Sequence, residues 1–241
     1  MDHADLPDRP ALFLDFDGTL VEIAATPDAV AVAPGLTATL ARLAERLGGA
    51  LAVVSGRPVA AIDGFLAPLH LPVSGLHGLE TRYAPGAPVE RAAPVPNMVA
   101  LRGALAREPF PHGVLVEDKD VTIAVHYRLA PHAEDLVRRR IATLTAGADD
   151  LAVLHGKMVV EVKPRGASKG TAVAALMAAP PFAGRVPVFV GDDVTDEDGF
   201  AGAEALGGFG IKVGPGPTRA RERLPSVTAV QGWLAGLAKR D

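Results

Sequence analysis

The stretch Ala11-Leu12-Phe13-Leu14-Asp15-Phe16-Asp17-Gly18 decides the fold predicted for this chain. It begins as a short, continuous apolar run, which is typical of a strand buried in a parallel sheet. We therefore predict a strand over residues 11–16. The run ends in carboxylates and a glycine, which stand at the carboxyl end of the strand. Because ligands bind at this end of the strands in open parallel sheets, the same stretch also predicts where the functional site lies.

An alternation of strands and helices around this stretch predicts an α/β class with a parallel sheet. A helix opened by Pro34 carries one apolar stripe of leucines, and Gly48-Gly49 ends it. The other elements predicted for this core are a strand at 51–54, a helix near Pro58, a helix at 168–178, strands at 186–190 and 209–213, and a final helix with Trp233, Leu234 and Leu237.

The alternation lapses in the middle of the chain, where helices and antiparallel hairpins are predicted instead. The predicted elements there are a helix at 97–107, strands at 114–117 and 121–128, a helix at 131–145, and strands near 151–154 and 158–162. Such an order is typical of an α+β module inserted into a parallel sheet. We therefore predict a discontinuous core domain, residues 1–91 and 164–241, and an inserted domain, residues 92–163.

The composition excludes several classes of function. Of the 241 residues 49% are hydrophobic, which supports a sizeable buried core. The net charge of -4 provides no basic field for nucleic acid or for an anionic membrane. The absence of cysteine excludes disulfides, thiolate metal sites and cysteine nucleophiles. The first residues lack the pattern of a signal peptide, so we expect a cytoplasmic protein. We also expect a small-molecule substrate and no obligatory protein partner.

Polar side chains cluster at the carboxyl ends of three predicted strands. They are Asp15 and Asp17, then Ser55, then Asp192, Asp193 and Asp196. Singly, each could be a turn residue or a helix cap, and for Ser55 the sequence leaves both interpretations open. Five carboxylates at two strand ends, however, need a cation to offset their like charge. Oxygen ligands without cysteine or paired histidines point to Mg²⁺.

The order of these motifs is similar to that of the haloacid-dehalogenase (HAD) superfamily. The matching residues are Asp15-Phe16-Asp17-Gly18-Thr19-Leu20 for the first motif, Ser55 for the second, Lys169 for the third and Gly191-Asp192-Asp193 for the fourth. The resemblance implies a HAD-like, Rossmann-like parallel-sheet core. It also implies a phosphatase that forms an aspartyl-phosphate and uses Mg²⁺.

The resemblance further implies a role for each motif residue. Asp15 is the nucleophile that attacks phosphorus. Asp17 protonates the leaving oxygen and then takes a proton from water. Gly18 leaves room for the phosphoryl group, whose oxygens are bound by Ser55 and Lys169. The alternative for Lys169 is a solvated lysine at the start of a helix.

The metal ligands implied by the resemblance come from the first and fourth motifs. Mg²⁺ is expected to be held by Asp15, by the backbone carbonyl of Asp17 and by Asp192. Asp193 and Asp196 either ligate the metal or support its ligands, and the sequence leaves both roles open.

The inserted domain stands between the second and third motifs, the position of the C2 cap in HAD enzymes, and its α+β pattern resembles the C2B subtype. Within that group the chain is similar to the trehalose-6-phosphate phosphatase family. The matching strings are Ser55-Gly56-Arg57, Gly75-Leu76-His77-Gly78-Leu79-Glu80, Glu117-Asp118-Lys119, His126-Tyr127-Arg128, Glu161-Val162-Lys163-Pro164, Ser168-Lys169-Gly170 and Gly191-Asp192-Asp193-Val194-Thr195-Asp196-Glu197. The resemblance implies that trehalose 6-phosphate is the substrate, in the last step of trehalose biosynthesis, with no synthase domain fused.

The same resemblance implies which residues bind substrate outside the motifs. Those expected to bind the distal glucose are Glu117, Lys119, Arg128 and Glu161. Carboxylates and lysines suit sugar hydroxyls, but without the resemblance these charges would favour a solvated hairpin edge. Arg57 is expected to order the Ser55 loop beside the substrate. His77 either contacts substrate or caps a turn.

Other functions stay open at this point. A phosphatase for sucrose phosphate or mannosyl-3-phosphoglycerate would keep the same core chemistry and differ in the inserted domain. A phosphomutase would need a second phosphate site, which the sequence does not indicate. A non-catalytic sugar-phosphate sensor on the same fold would be expected to lose Asp15, Asp17 or Lys169, and all three are intact.

Overall fold

A computed structural model describes residues 5–24, 26–107 and 109–239 of the chain. Its strands and α-helices are, in chain order, β1 (Pro10–Leu14), α1 (Leu36–Arg46), β2 (Leu51–Val54), α2 (Val59–Leu66), β3 (Val73–Gly75), β4 (Glu80–Arg82), β5 (Glu90–Arg91), α3 (Pro96–Arg107), β6 (Leu115–Asp118), β7 (Ile123–His126), α4 (Glu134–Leu144), β8 (Leu151–Gly156), β9 (Val159–Pro164), α5 (Lys169–Met177), β10 (Val186–Gly191), α6 (Asp196–Ala205), β11 (Phe209–Val213), β12 (Glu222–Leu224) and α7 (Val227–Leu237). Within the described ranges, none of these helices combines the length and the hydropathy needed to cross a bilayer.

The chain divides into two compact units. The core unit comprises Met1–Arg91 and Ser168–Asp241, and the inserted unit comprises Ala92–Ala167. The inserted unit thus ends four residues later than the sequence predicts. The reason lies at Arg165, which follows β9: its backbone N–H donates to the carbonyl of Asp150 at 2.7 Å, and its guanidinium donates to the carbonyl of Asp149 at 2.8 Å. These bonds hold the chain against the inserted unit beyond the end of the strand.

The core unit is built on an eight-stranded sheet with the order β12-β11-β10-β1-β2-β3-β4-β5. The strands from β12 to β3 are parallel, and β4 and β5 are antiparallel additions at one end. β1 lies between β10 and β2, so the carboxyl ends of these three strands meet at one edge of the sheet. The sheet therefore brings together the strand ends that carry the polar motifs.

Both faces of this sheet are covered by helices, because the side chains of β1 alternate between two apolar clusters. Leu12 and Leu14 pack with the buried residues of α1, α2 and α7. Ala11 and Phe13 pack on the opposite face with those of α5 and α6. All four side chains are fully buried. The predicted α/β class with a parallel-sheet core is confirmed.

The inserted unit contains a four-stranded antiparallel sheet with the order β6-β7-β9-β8. Ile123 and Val125 of β7 pack with the buried residues of α3 and α4 in a separate apolar cluster. Since side chains alternate along a strand, Ala124 and His126 lie on the opposite face of the sheet. That second face carries Glu117 and Glu161, two of the charged residues singled out in the sequence, since both pair with Ala124.

A buried ion pair fixes one side of the core sheet. Arg82 of β4 is only 5% exposed. Its guanidinium donates to both carboxylate oxygens of Asp63 at 2.6 Å, and to the carbonyl of Leu71 at 2.8 and 3.1 Å. Hydrogen bonding to Arg82 is the main reason why the pKa of Asp63 lies below its ordinary value. The pair therefore couples the stability of the core unit to pH.

We expect Asp63→Asn to lower the free energy of unfolding by about 2 kcal/mol near neutral pH, because a buried guanidinium loses its counter-charge. The folded pKa of Asp63 is depressed, so the pair's contribution is complete above the ordinary value of 3.8 and is lost as the pH falls through the folded pKa. Urea titrations of both proteins across this pH range measure the difference.

Glu204→Gln provides the matched control, since Glu204 pairs with Arg219 on the exposed surface of the same unit. That change should cost less than about 1 kcal/mol. Equal losses in the two variants, or a difference that does not shrink in acid, would contradict the role given to Asp63.

Candidate active site

Asp15 is the first residue after β1, one position beyond the strand's end at Leu14. The predicted strand over 11–16 is therefore too long at its carboxyl end. Asp15 is 4% exposed, and its backbone N–H donates to the carbonyl of Val190 in β10 at 2.9 Å. Nζ of Lys169 donates to its Oδ1 at 2.6 Å, and the hydroxyl of Thr19 donates to its Oδ2 at 3.2 Å. Both carboxylate oxygens are thus held in a fixed orientation.

Lys169 is the first residue of α5 and reaches the site from a well-capped helix start. The Ser168 hydroxyl accepts from the N–H of Thr171 at 3.1 Å, which satisfies one of the otherwise unbonded amides of the first turn. Nζ of Lys169 also donates to Oδ1 of Asp196 at 2.6 Å. The side chain is only 4% exposed, so Lys169 is not a solvated surface lysine.

The site brings three carboxyl side chains close together, although it is largely buried. Burial raises the pKa of Asp15 well above its ordinary value, and the charges of Asp196 and Asp192 act in the same direction against the opposing effect of Lys169. Burial alone would lower the pKa of Lys169, but its two carboxylate partners raise that pKa above its ordinary range. Lys169 therefore stays charged, and one ammonium stands among three carboxylates.

Asp15, Asp192 and Asp196 each place a carboxylate oxygen within 4.8 Å of the others. Asp192 follows β10, and its carboxylate lies directly against Gly18, where a Cβ would be 2.4 Å away. Gly18 has a φ of 81°, which glycine adopts without strain. The two strand ends can approach each other this closely because Gly18 has no side chain.

These carboxylates fit a hard divalent cation. The three converging carboxylates outnumber the ammonium groups of Lys169 and Lys212, and Mg²⁺ would offset the remaining negative charge. Asp196, however, already has both oxygens bonded: Oδ1 accepts from Lys169 and Oδ2 accepts from the N–H of Asp193 at 2.8 Å. Asp15 is likewise bonded at both oxygens, so all three carboxylates stay candidate ligands, and Asp196 also anchors Lys169 and the N–H of Asp193. Asp193 is brought to this group through its backbone N–H.

Asp17 forms a two-point pair with Arg57. Nε and Nη2 of the guanidinium donate to Oδ2 and Oδ1 of Asp17 at 2.6 and 2.8 Å. The guanidinium also lies over the rings of Phe16 and Phe65, 5.8 and 5.0 Å from their centroids. The sequence places Arg57 beside Ser55, and its N–H does donate to the Ser55 hydroxyl at 3.1 Å. The contact with Asp17, forty residues away, had no signal in the sequence.

His77 is buried against the Ser55 loop. It lies in a turn where Leu76, His77 and Gly78 all have left-handed φ values of 50, 57 and 98°. Its N–H donates to the carbonyl of Ser55 at 3.1 Å, and its ring packs on Gly56, where a Cβ would be 2.9 Å from Nε2. Strained backbone persists where surrounding contacts hold it. The contacts with Ser55 and Gly56 therefore fix this turn and the Ser55 loop against each other. The sequence left open a substrate contact or a turn cap.

The inserted unit gathers a second polar cluster on one face of its sheet. Glu117 and Glu161 both pair with Ala124, so the two carboxylates occupy one row across three strands. Nζ of Lys119 lies 3.5 Å from Glu117 and 4.0 Å from Glu161. Nε2 of His126 lies 3.0 Å from Oε2 of Glu117. These four polar side chains form what we call the inserted-unit cluster.

Two features of this cluster differ from the sequence prediction. The guanidinium of Arg128 donates to the carbonyl of Lys157 at 3.0 Å, and β7 ends at His126, before Arg128. The predicted strand over 121–128 is therefore too long, and Arg128 is not on a strand face with His126. Conversely, His126 was not assigned to the sugar-binding set, yet it bonds Glu117. Although burial opposes the effect, this bond and the charge of Lys119 lower the pKa of Glu117.

Lys212 of β11 is another residue that sequence reasoning missed. It is 6% exposed, and its ammonium donates to the backbone carbonyl of Asp192. A lysine inside the buried strand Phe209–Val213 was the available signal, since lysine is rarely buried without a partner.

The family model for trehalose-phosphatase matches residues 13–226 of the chain. A trehalose-6-phosphate phosphatase from Escherichia coli is 41% identical over 236 residues, which cover 95% of this chain and 87% of the relative. A protein of Sinorhizobium fredii described as a probable trehalose-phosphate phosphatase is 47% identical over 96% of this chain and 88% of its own length.

Solved structures agree on the fold. The C-terminal domain of a Candida albicans trehalose-6-phosphate phosphatase superposes with a TM-score of 0.78 at 23% identity, covering 95% of this chain and 92% of that one. A HAD-superfamily phosphatase from Bacteroides thetaiotaomicron gives a TM-score of 0.66 at 16% identity, covering 97% and 99%. The family predicted from the motifs is confirmed: the chain belongs to the trehalose-phosphatase family.

Proposed function

We propose that this chain hydrolyses trehalose 6-phosphate to trehalose and phosphate, the last step of trehalose biosynthesis, through an aspartyl-phosphate on Asp15. The observation that carries the proposal is the buried Asp15 carboxylate, oriented at both oxygens beside the ammonium of Lys169. The E. coli relative named for this activity matches the chain across almost its whole length. The expected cytoplasmic location stays a prediction.

In the first half-reaction an oxygen of Asp15 attacks phosphorus while the bond from phosphorus to the sugar oxygen breaks. Asp17 donates a proton to that leaving oxygen. Lys169 and the Ser55 hydroxyl bind the phosphoryl oxygens, because phosphoryl transfer depends mainly on positioning and charge. Oδ2 of Asp15 accepts from the neutral hydroxyl of Thr19, while Oδ1 accepts from the ammonium of Lys169, which favours Oδ2 as the attacking atom.

In the second half-reaction water attacks phosphorus, and the bond from phosphorus to the Asp15 oxygen breaks, which releases phosphate and restores the Asp15 carboxylate. The carboxylate of Asp17 takes a proton from the attacking water. The guanidinium of Arg57 donates to both oxygens of the Asp17 carboxylate. Protonated Asp17, needed in the first half-reaction, requires a weaker contact with Arg57. The pair therefore has to loosen when substrate binds.

We call the three converging carboxylates of Asp15, Asp192 and Asp196 the acidic group. It would hold Mg²⁺ through Asp15 and Asp192, with the backbone carbonyl of Asp17 as a further ligand. When bound, the ion would offset the repulsion between the Asp15 carboxylate and the phosphate. Asp196 supports this arrangement by fixing Lys169 and the N–H of Asp193.

The inserted-unit cluster would bind the distal glucose of the substrate. Glu117 and Glu161 offer carboxylate oxygens to sugar hydroxyls, and Lys119 offers N–H donors. The ion pairs that link these residues hold the carboxylates in place before a sugar arrives. Arg128 and His77 are proposed to contact substrate as well, and Arg57 to lie beside it.

We expect Asp15→Asn to reduce phosphate release to less than about one per cent of wild type, because an amide is a poor nucleophile. Phosphate release from trehalose 6-phosphate and a urea titration measure activity and folding together. Asp198→Asn, an exposed carboxylate on α6, is the matched control and should retain wild-type turnover. A folded Asp15→Asn protein with substantial activity would remove Asp15 from the nucleophile role.

We expect EDTA to stop hydrolysis of both trehalose 6-phosphate and p-nitrophenyl phosphate, and added Mg²⁺ to restore it. Ca²⁺ should restore little activity, because it prefers more ligands at longer distances and would misplace the phosphoryl group. Titration of each ion into the chelated and dialysed protein makes the comparison. Full activity in the presence of chelator would contradict the metal assignment.

We expect Glu117→Ala or Glu161→Ala to lower kcat/KM for trehalose 6-phosphate by roughly ten- to several-hundred-fold, since each charged hydrogen bond contributes about 1.5–3 kcal/mol. Hydrolysis of p-nitrophenyl phosphate, which has no sugar, should change little. Asp118→Ala is the matched control, because Asp118 lies next to Glu117 on the other face of β6.

Equal losses on both substrates would instead assign these glutamates to the fold. No loss on either substrate would indicate that Glu117 and Glu161 are solvated surface residues without a role in binding. A wild-type preference for sucrose phosphate or mannosyl-3-phosphoglycerate would overturn the trehalose assignment while leaving the core chemistry intact.

A further inference from the structure

Lys212 is a buried cation for which the proposed mechanism has no role. Its side chain emerges from β11, beside Gly191 of the neighbouring strand β10, and its ammonium donates to the carbonyl of Asp192. Burial of an ammonium raises the free energy of the folded state unless the ammonium gains strong partners. A lysine that faces solvent would avoid this cost. Lys212 touches a main-chain oxygen rather than the proposed position of the phosphate, which makes it a positioning residue.

The carbonyl of Asp192 and the N–H of Asp193 belong to the same planar peptide unit. Lys212 binds the oxygen end of this unit, and Oδ2 of Asp196 accepts from its nitrogen end at 2.8 Å. Because the peptide is planar, contacts at both ends fix its plane. That plane sets the backbone torsion of Asp192 and, with it, the direction in which the Asp192 side chain leaves the chain.

The other contacts of Asp192 show what this orientation achieves. Its carboxylate rests against Gly18 and shares the acidic group with Asp15 and Asp196. A rotation of the peptide unit would break the bond to Lys212 and the bond to Asp196 together. It would also turn the carboxylate of Asp192 away from Asp15.

We propose that Lys212 positions the cation site by clamping the 192–193 peptide against Asp196, so that the Asp192 carboxylate faces Asp15. This inference rests on the proposed function only through its cation site. It assigns the second half of the clamp to β11, a strand that carries none of the motifs. Residues that orient metal ligands typically alter metal affinity by about 10- to 100-fold when replaced.

The test is Lys212→Met, which keeps an unbranched side chain of nearly the same length and removes the ammonium. Calorimetric titration of Mg²⁺ into the full chain should show a Kd about 10-fold or more above wild type. The Mg²⁺ concentration for half-maximal hydrolysis of p-nitrophenyl phosphate should rise by a similar factor. At saturating Mg²⁺ the kcat should recover, which a general loss of structure would not allow.

Arg223→Met is the matched control. Arg223 pairs with Lys212 in the next strand, β12, and also donates to loop carbonyls, those of Gly214 and Gly216. Those carbonyls belong to residues outside the acidic group, so the Mg²⁺ affinity of Arg223→Met should equal that of wild type. A similar rise in Kd for both variants would contradict a specific role for Lys212.

Lys212→Leu decides the matter if Lys212→Met does not fold, because its smaller apolar side chain also leaves no donor for the carbonyl of Asp192. A rise in Kd below about threefold in whichever variant folds would overturn the proposal. Failure of both variants to fold would also overturn it, by assigning Lys212 to the fold. Wild-type protein that binds no Mg²⁺ would overturn the cation site itself. A wild type that binds Mg²⁺ but prefers another sugar phosphate would leave the role of Lys212 untouched.

Discussion

The contact on which the site depends is the ammonium of Lys169 held between the carboxylates of Asp15 and Asp196, 2.6 Å from each. All three side chains are almost completely buried, so none of them could keep its charge there without the others. The contact joins the end of β1 to the starts of α5 and α6, which pack on the same face of the sheet. The Asp15 carboxylate, proposed as the nucleophile, and the helix packing of the core unit are therefore held by one electrostatic network, and neither can shift independently.

This network also explains why the surroundings of the proposed nucleophile, Asp15, and of the proposed acid–base residue, Asp17, differ so much although the two are two positions apart. Asp15 is buried beside a lysine that it shares with another carboxylate, while Asp17 is one-third exposed and has a guanidinium partner of its own. A shared ammonium orients Asp15 without neutralising the acidic group, which leaves that group ready for a cation.

The sequence predicts the parts of the structure that local pattern and strand ends determine. β2 and β11 have their predicted bounds, and the α/β class follows from the apolar runs. The short strands β3, β4 and β5 went unpredicted, because two or three residues give no readable period and Arg82 is buried only through its partner Asp63. The pairs Asp17 with Arg57 and Asp192 with Lys212 were missed for a related reason: each joins residues far apart in the chain, and only the sheet order brings them together.

In the two acidic motifs, glycines allow carboxylate side chains to pack directly against the backbone. A Cβ on Gly18 would lie 2.4 Å from the carboxylate of Asp192, and a Cβ on Gly191 would lie 2.2 Å from Cγ of Asp196. Each glycine thus makes room for a carboxylate of the fourth motif, and at Gly18 the positive φ adds a second requirement that glycine meets. Because Asp192 and Asp196 pack against the main chain at these glycines, their positions depend on strand register as well as on the contact with Lys169. The register of β10 against β1, set by apolar side chains buried on both faces, therefore determines the geometry of the acidic group.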